Sequence, residues 1–512
     1  MELLHSSDFS NYVDKLVKRH HVTGLAVALV QDRRIASRGF GKASLHPPRD
    51  FTPDSLICVG SASKSLTAGV VAQLVGDNER YPEVQYGATM AGLLPGDFVM
   101  SGQDHENVTL EDVLSHQTGM PPHELSLLGP KAENPDNVQS ITRNLRNLTP
   151  LSPNRAEFIY CNMMYSVAVY LVEQKTQTTF ADFLHSRLLQ PLHMDSTCLL
   201  LERVQARGLT DRVAVGYLRD KKAKQHTQVQ HSDTPESQGA GQIFSSVNDY
   251  AKWIKAMIYR EGPITEDIFK GLTTRRVRQE PLSDDLNDDE ATYYAFGWDV
   301  RQYQGYTLIS HDGGDVGYQC NHFFILELEF GGAIFSNSDH ADMVVSQLMY
   351  RFIDEVMQGS QSAESSQMDI DNSDSEPDSD SDVGESDEEF EAEFEEELRR
   401  ELCPGIDELQ PQEMPLSAYI GKYWNPGYRG IKIEEKDGSL FIDATDRSVG
   451  FTLAFKHICE QTKYLAYMSS GPGDADVPLK GEFVLENNKA IKLGLQLEER
   501  FDGYIWFARI DE

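Results

Sequence analysis

Cysteine is scarce in this sequence: 512 residues include only six, and they are scattered along the chain at Cys58, Cys161, Cys198, Cys320, Cys403 and Cys459. None of them forms a Cys-x-x-Cys pair, so the sequence predicts neither a disulfide framework nor a zinc site. Two other features are missing, namely a leader with a basic start and an apolar core, and an apolar run long enough to span a membrane. We therefore expect a cytoplasmic protein in a reducing environment, without a membrane partner.

Basic residues are also few, because 46 Lys and Arg stand against 81 Asp and Glu and leave a net charge of −35. Phosphates would repel such a chain, so nucleic acid is not an expected partner. Much of the charge is local: residues 369–401 contain seventeen acids and two arginines, a net charge of −15. Since this segment repels itself and has few apolar groups, we predict an acidic disordered linker over residues 359–412, compatible with a short helix near 390–402.

Two structured regions flank the acidic segment. In the first, an amphipathic helix over about residues 9–18 precedes a buried strand near 23–30 and a second strand near 35–39, a pattern that favours an antiparallel sheet covered by helices. In the second, seven regularly spaced strand patterns predict a small closed β-barrel over residues 413–512. The length of the chain also favours at least two domains.

The stretch with the clearest chemical content is Gly60-Ser61-Ala62-Ser63-Lys64, which small and apolar residues follow at helical spacing. This pattern places Ser61 in the first turn of a buried helix, with Lys64 one turn later on the same face. A serine hydroxyl becomes nucleophilic when a base takes its proton, and Lys64 can be that base if burial lowers its pKa. Taken alone, the pair is as compatible with a helix-capping serine and a solvated lysine.

Two later stretches carry residues suited to the same chemistry. Tyr160-Cys161-Asn162 offers a phenol as an acid or base and an amide that both donates and accepts, although Tyr160 also fits a core position. His311-Asp312-Gly313-Gly314 follows strand-like residues, and its glycines allow a backbone amide to approach a ligand and form an oxyanion hole with the amide of Ser61. His311 could hold substrate or relay a proton, and the alternative is a polar hairpin turn.

Two further segments are expected to support the site. His116 lies in Leu114-Ser115-His116-Gln117-Thr118-Gly119-Met120-Pro121, and we expect it to pack beneath this loop and fix the backbone there. Residues 239–250 form a small-residue turn that enters a helix, with Ser246 or Asn248 as the cap. We interpret this second segment as a scaffold around a cleft.

In this order and spacing, the motifs resemble the serine β-lactamase and penicillin-binding-protein-like superfamily, in its class C β-lactamase, D-aminopeptidase and esterase branch (peptidase S12 type). The resemblance covers about residues 9–357. It implies an α+β fold for residues 1–358, in which helices flank an antiparallel sheet and an all-helical subdomain is added. The terminal barrel resembles the lipocalin-like C-terminal domain of several members.

The resemblance also implies roles. Ser61 would be the acyl-forming nucleophile, Lys64 its base, and Tyr160 the acid or base that serves the leaving group, with no metal or other cofactor. The residues that it assigns are Ser61, Lys64, Tyr160 and His311 as catalytic, and Asn162, Asp312, Gly313 and Gly314 as substrate-binding. The implied function is a serine hydrolase that acts on amides, esters or short peptides through an acyl-Ser61 intermediate.

Two departures bear on the substrate. His311 stands where many members carry lysine, which removes a fixed cation at pH 7 and argues against a β-lactamase. Asp312 replaces a common Ser or Thr and, if it faces the cleft, would favour a substrate with a free amine. Two other functions remain open: an acyltransferase that passes the same acyl group to an alcohol or amine, and a catalytically silent scaffold whose acidic linker binds partners.

Overall fold

The computed structural model describes residues 3–102, 105–220, 225–279, 291–360, 383–406, 408–471, 476–498 and 500–510. The chain forms two compact units. Unit 1 consists of Met1–Met120 and Asn137–Ala363, and unit 2 of Pro121–Asp136 and Glu364–Glu512. The chain thus leaves unit 1 after Met120, contributes an excursion to unit 2 and returns at Asn137. The domain limits at residues 358 and 413 stay predictions, and the excursion was not foreseen.

The described strands of unit 1 mostly build one antiparallel sheet of nine strands, in the order β3-β2-β1-β14-β13-β12-β11-β10-β9. A three-stranded sheet, β4-β8-β5, and the hairpin β6-β7 accompany it. In chain order the strands are β1 (Gly24–Gln31), β2 (Arg34–Leu45), β3 (Pro48–Asp50), β4 (Ile57–Cys58), β5 (Cys198–Leu199), β6 (Gly216–Asp220), β7 (Gln225–Val229), β8 (Ile243–Ser245), β9 (Val277–Arg278), β10 (Tyr293–Tyr294), β11 (Asp299–Tyr303), β12 (Tyr306–Asp315), β13 (Tyr318–Ile325) and β14 (Phe330–Ser336).

The helices of unit 1 cover the large sheet and connect its strands. In chain order they are α1 (Ser7–Arg19), α2 (Ser63–Gly76), α3 (Met90–Leu93), α4 (Leu110–Leu114), α5 (Val138–Asn144), α6 (Asn162–Thr176), α7 (Phe180–Leu184), α8 (Leu201–Ala206), α9 (Gln238–Gly241), α10 (Val247–Tyr259), α11 (Glu266–Thr273) and α12 (Asp342–Ser360). Within the described ranges, no helix has both the length and the apolar character needed to cross a membrane.

The centre of the sheet is apolar on both faces because helices cover each side. Strand β1 is buried from Gly24 to Val30 and pairs with β14, where Val27 lies opposite Ile334. On one face, α1 and α12 contribute Phe9 and Phe352 to the core. Helix α2 is buried along most of its length, including Lys64. The expected first helix, the two strands after it and the α+β class are therefore confirmed. Lys64 lies in a buried helix as expected, whereas Ser61 lies in the 3₁₀ turn Gly60–Ala62 directly before that helix.

Unit 2 contains a closed antiparallel barrel of eight strands, which confirms the expected barrel. The strands are β15 (Gly421–Asn425), β16 (Arg429–Lys436), β17 (Ser439–Ala444), β18 (Phe451–Cys459), β19 (Lys463–Ser469), β20 (Val477–Glu486), β21 (Lys489–Leu495) and β22 (Ile505–Arg509). Seven of them match the expected patterns, and β15 is additional. It closes the barrel by pairing with β22, with Tyr423 opposite Arg509. Buried Tyr423, Phe483 and Phe507 help to fill the unit.

The acidic segment contains more helix than expected. Helix α13 covers Val383–Leu402, and residues 361–382 of the predicted linker lie outside the described residues. At its C-terminal end, Leu398 and Leu402 pack with Ile458 and Leu465. A disulfide joins Cys403 to Cys459, a pairing that the scattered spacing of the cysteines did not predict. Since disulfides are usual in oxidising compartments, this bond does not support the expected reducing location.

Candidate active site

Ser61 lies in a tight turn, Gly60–Ala62, between β4 and α2. Gly60 has a φ of +48°, and a Cβ added to it would lie 2.2 Å from the carbonyl oxygen of Gly314. Only glycine therefore allows the turn to approach β12 this closely. The N–H of Val59 donates to Ile243 O (2.9 Å), and the N–H of Ile243 donates to Ser63 Oγ (3.1 Å). These bonds fix the backbone on both sides of the serine.

The hydroxyl of Ser61 lies within hydrogen-bonding distance of two groups that can carry its proton. Lys64 Nζ and Tyr160 Oη are each 2.9 Å from Ser61 Oγ. Lys64 also donates to the carbonyl oxygen of Ala240 at 2.9 Å, and its Nζ lies 4.8 Å from the centroid of the Tyr160 ring. The Lys64 side chain is completely buried, whereas Ser61 and Tyr160 are partly exposed. The three groups are thus brought together, with the serine and the phenol open to a reactant.

His116 supports the backbone that carries Tyr160. Its ring packs 4.3 Å from the ring of Tyr160, and its Nδ1 accepts a hydrogen bond from the N–H of Cys161 (3.1 Å). Burial, to which the charge of Lys64 adds, holds the pKa of His116 well below its ordinary value. A neutral imidazole suits the role of acceptor. The expectation that His116 fixes the backbone beneath its loop is confirmed.

His311 lies on β12 and is held at both ring nitrogens. Its Nδ1 is 2.6 Å from the carbonyl oxygen of Asp312, and its Nε2 is 3.0 Å from the hydroxyl of Tyr294. A carbonyl can only accept, so we assign the proton to Nδ1 and the acceptor role to Nε2. Burial, followed by the charge of Lys64, lowers the pKa of His311 to about 4. His311 is therefore a neutral, oriented group at neutral pH.

Positions along β12 alternate between the two faces of the sheet, so His311 and Gly313 share one face and Asp312 and Gly314 share the other. Gly313 and Gly314 approach the serine turn: a Cβ on Gly313 would lie 2.1 Å from Val59 O, and Gly314 lies against Gly60. Asp312 alternates with its neighbours along the strand and is bonded through Oδ1 to Asn321. With residues of α12 it lines a separate cavity of about 420 Å³.

Asp312 is therefore not brought together with Ser61 and Lys64. The expected preference for a substrate amine, which depended on this carboxylate facing the cleft, loses its basis. Asn162 is the first residue of α6, two residues after Tyr160, and is partly buried. This position is compatible with a substrate contact, which stays a prediction.

Two contributors were not identified from the sequence. Ala240 acts through its backbone carbonyl, which no side-chain motif can reveal, although the segment around it was expected to be scaffold. Tyr294 holds His311 from the adjacent part of the sheet and also contacts His116, with ring centroids 4.9 Å apart. The sequence carries no separate signal for Tyr294, because an aromatic residue is equally expected in a buried strand.

The fold and this site together define the class of protein. The model of the Beta-lactamase family matches residues 9–352, and the chain belongs to that family. A family described as a domain of unknown function (DUF3471) matches residues 407–509. The C-terminal domain therefore has a family match of its own, although that description does not contain the lipocalin-like label.

Among similar proteins, the unguisins hydrolase ungD' of Aspergillus campestris is 32% identical over 456 residues, which cover 88% of this chain and 82% of that protein. A D-aminopeptidase of Brucella anthropi is 24% identical over 73% of this chain and 66% of that protein. The solved structure of an octameric penicillin-binding protein homologue from Pyrococcus abyssi superposes with a TM-score of 0.57 at 16% identity, covering 97% of this chain and 98% of that one. The last likeness concerns the fold alone. The relatives place this chain in a family with the β-lactamase fold whose members include hydrolases.

Proposed function

We propose that the protein is a serine hydrolase that forms an acyl-enzyme on Ser61 and acts on amide or ester bonds. The observation that supports this most directly is the position of Lys64 Nζ and Tyr160 Oη, each 2.9 Å from Ser61 Oγ. A nucleophile with one partner that takes its proton and another that serves the leaving group is the arrangement that acyl transfer needs. The names of the relatives support the hydrolytic outcome.

In the proposed acylation step, Lys64 acts in its neutral amine form, which can accept a proton. In the structure Lys64 Nζ donates to both Ser61 Oγ and Ala240 O. For acylation the neutral amine keeps its bond to Ala240 O and accepts a hydrogen bond from the Ser61 hydroxyl. As Ser61 Oγ bonds to the substrate carbonyl carbon, the proton moves to Lys64. The carbonyl oxygen gains negative charge, which the N–H groups of Ser61 and Gly314 would stabilise as an oxyanion hole. The close approach of Gly60 to Gly314 supports this last assignment.

Collapse of the intermediate breaks the bond to the leaving group and leaves the acyl group on Ser61. The leaving nitrogen or oxygen needs a proton, which Lys64 returns through the Tyr160 hydroxyl. A water molecule then attacks the acyl carbon, with the same two groups moving its protons in reverse. No net proton is gained or lost by the protein over the cycle.

The substrate that we propose is a small amide, ester or short peptide without a required carboxylate. A neutral His311 gives no fixed cation at the position where many family members have lysine, so an ion pair with a substrate carboxylate would be missing there. The relatives are named for hydrolysing unguisins and for D-aminopeptidase activity. We therefore include an unguisin and D-amino-acid amides among the candidate substrates.

The test is intact-mass detection of an acyl adduct on Ser61, using D- and L-amino-acid amides and esters, an unguisin and a penicillin. We expect an adduct in the wild type, its loss in Ser61→Ala, and its retention in the matched control Ser186→Ala, an exposed serine. Turnover of the penicillin faster than that of every amide and ester would contradict the proposed substrate class.

The same experiment separates the two other functions. A protein that resists labelling by the whole panel and by a fluorophosphonate would be a silent scaffold. If added alcohols or amines capture most of the acyl group at the expense of the free acid, the protein is an acyltransferase. Release of the free acid as the main product supports the hydrolase.

A further inference from the structure

We propose that Cys58, His231 and Asp315 form a binding site for a zinc ion, outside the Ser61–Lys64–Tyr160 cluster. One ligand atom from each residue lies within 4.8 Å of the other two. Tetrahedral zinc with bonds of about 2.0–2.3 Å holds its ligand atoms roughly 3.3–3.8 Å apart. The three side chains therefore need only small movements to surround one ion.

The three residues come from separate elements that converge. Cys58 ends β4, Asp315 ends β12, and His231 lies in the loop after β7. Cys58 is buried, and the side chains of His231 and Asp315 are 8% and 23% exposed. The cluster is thus largely closed to water, with His231 and Asp315 at its accessible side.

The carboxylate of Asp315 is directed at the other two residues of the cluster. Its Oδ1 accepts a hydrogen bond from the N–H of Val316 (2.8 Å), and its Oδ2 lies 3.3 Å from His231 Nδ1. Asp315 Oδ2 is buried, and its contacts are with the other members of the cluster, His231 and the thiol of Cys58. An ion bound by Asp315 Oδ2 and His231 Nδ1, the two atoms that face each other, would replace their long contact by two metal bonds and leave His231 Nε2 directed at Asp233.

Around His231 lie a carboxylate and an aromatic ring, and a carboxylate is a usual neighbour of a zinc-binding histidine. Asp233 Oδ1 lies 3.7 Å from His231 Nε2, and this carboxylate is fixed by the N–H groups of Leu201 (2.6 Å) and Glu202 (2.9 Å). The ring of Phe244 packs edge-on against His231 at 4.9 Å. A carboxylate opposite the metal-binding nitrogen commonly orients such a histidine.

The donor types select the ion. Thiolate and imidazole favour zinc over magnesium and calcium, which prefer oxygen ligands alone. The thiol of Cys58 donates to Gly241 O at 3.1 Å and would exchange its proton for the ion on binding. Three protein ligands leave a fourth position for water.

The place of the cluster in the chain suggests what the ion does. Cys58 is three residues before Ser61, and Asp315 directly follows Gly314. An ion held by both would tie together the two backbone segments whose amides form the proposed oxyanion hole. This positioning role rests on the proposed function, whereas zinc binding itself does not.

The experiment uses the full-length protein, stripped with a chelator and reloaded with Zn²⁺ or Co²⁺ alone. We expect one equivalent of zinc per chain after gel filtration, and a thiolate-to-cobalt charge-transfer band with Co²⁺. Cys58→Ser should lose that band, and Cys58→Ser and His231→Gln should each bind zinc at least about ten-fold more weakly. Cys198→Ser is the matched control and should bind as the wild type does, because Cys198 pairs with Phe244 from the other side of the same small sheet.

A wild type that holds no stoichiometric zinc would overturn the proposal and leave an imidazolium–carboxylate pair as the role of these residues. Equal binding by all variants would also overturn it, since the ion would then lie elsewhere. If Cys58→Ser does not fold, the zinc stoichiometry and the cobalt band of the wild type still test whether the protein binds the ion. Because these readouts do not use substrate, failure of the acyl-enzyme proposal would leave them unchanged.

Discussion

At the scale of single residues, the geometry around Ser61 distinguishes the hydroxyl of Tyr160 from the ring that carries it. The ring packs on His116, whereas the hydroxyl meets Ser61 Oγ. Tyr160→Phe should therefore fold normally and acylate about 10²- to 10⁴-fold more slowly, the range for loss of a general acid or base. Single-turnover mass spectrometry with an ester substrate measures this rate.

Tyr170→Phe is the matched control because Tyr170 lies on α6 and its hydroxyl binds Asp97 and Gln139 instead. It should acylate at the wild-type rate. Wild-type acylation by Tyr160→Phe would show that the phenol carries no proton in the reaction.

The buried imidazole of His311 should make stability depend on pH. Its pKa is lowered to about 4 in the folded protein, against about 6.5 in the unfolded chain. Between these values the unfolded chain binds a proton that the folded protein does not, so the unfolding free energy falls as the pH drops from about 6.5 to about 4.

His311→Gln removes this contribution, and its unfolding free energy should fall less over the same range, by roughly 2–3 kcal/mol. Denaturant titrations at about pH 7 and about pH 4.5 provide the comparison. Burial also lowers the pKa values of His116 and His322, and the charge of His311 adds to both shifts. The difference between the two proteins therefore includes the small part of those shifts that His311 contributes. Parallel pH profiles would contradict the assignment.

The sequence predicts some site residues better than others, for a physical reason. Ser61 and Lys64 are one helical turn apart, so local geometry alone places them on one face. Asp312 required knowledge of the strand face, which reverses with a shift of one residue. The contribution of Ala240 is a carbonyl, and Tyr294 reaches His311 only because β10 and β12 lie on either side of β11 in the sheet.

At the scale of elements, strands with strong apolar patterns were predictable and weakly patterned ones were not. The run from Leu25 to Val30 predicts β1 because both faces of this strand are buried. Strand β15 was missed because Tyr423 is its one fully buried side chain and Trp424 is 43% exposed. Helix α13 extends beyond the expected short helix, and only its apolar C-terminal turns were signalled by the sequence.

The disulfide should stabilise the association of α13 with the barrel. Cys403 and Cys459 are 56 residues apart in the sequence, and closing a loop of that length restricts the unfolded chain by about 4 kcal/mol. Cys403→Ser combined with Cys459→Ser should therefore lower the unfolding free energy of unit 2 by up to this amount. Amide hydrogen exchange of residues 392–402 should become faster.

Reduction of the wild type should reproduce both effects, while reductant should leave the double variant unchanged. Buried Cys161→Ser is a control for loss of a thiol. Unaltered exchange in the reduced wild type would show that apolar packing of Leu398 and Leu402 alone holds the helix.

At the scale of the whole molecule, the two units are not simply consecutive along the chain. Residues 121–136, which follow Gly119 and Met120, belong to the unit that contains the barrel. Within that unit, Gly129 N–H donates to Asp446 O (2.9 Å), Ser448 N–H donates to Leu127 O (3.0 Å), and His123 Nδ1 meets the hydroxyl of Tyr428 (2.7 Å). The domain that matches the Beta-lactamase family is thus interrupted by a segment that packs and hydrogen-bonds within unit 2.

This packing can be tested with a single methyl group at Gly129. A Cβ there would lie 2.9 Å from both the carbonyl carbon and the oxygen of Arg447, and backbone atoms cannot move aside as a flexible side chain can. Gly129→Ala should destabilise unit 2 by about 1–3 kcal/mol. It should also speed hydrogen exchange over residues 121–136. Because residues 121–136 continue directly from the loop that contains His116, loss of order in them should also lower kcat/KM.

Gly87→Ala is the matched control, since an added Cβ there meets no described atom within 4 Å. It should leave stability, exchange and turnover as in the wild type. If Gly129→Ala matches this control in all three measurements, the excursion is held by something other than its contact with Arg447. If exchange rises while kcat/KM stays constant, order in the segment is dispensable for the proposed hydrolysis, and the C-terminal domain does not support the site through this connection.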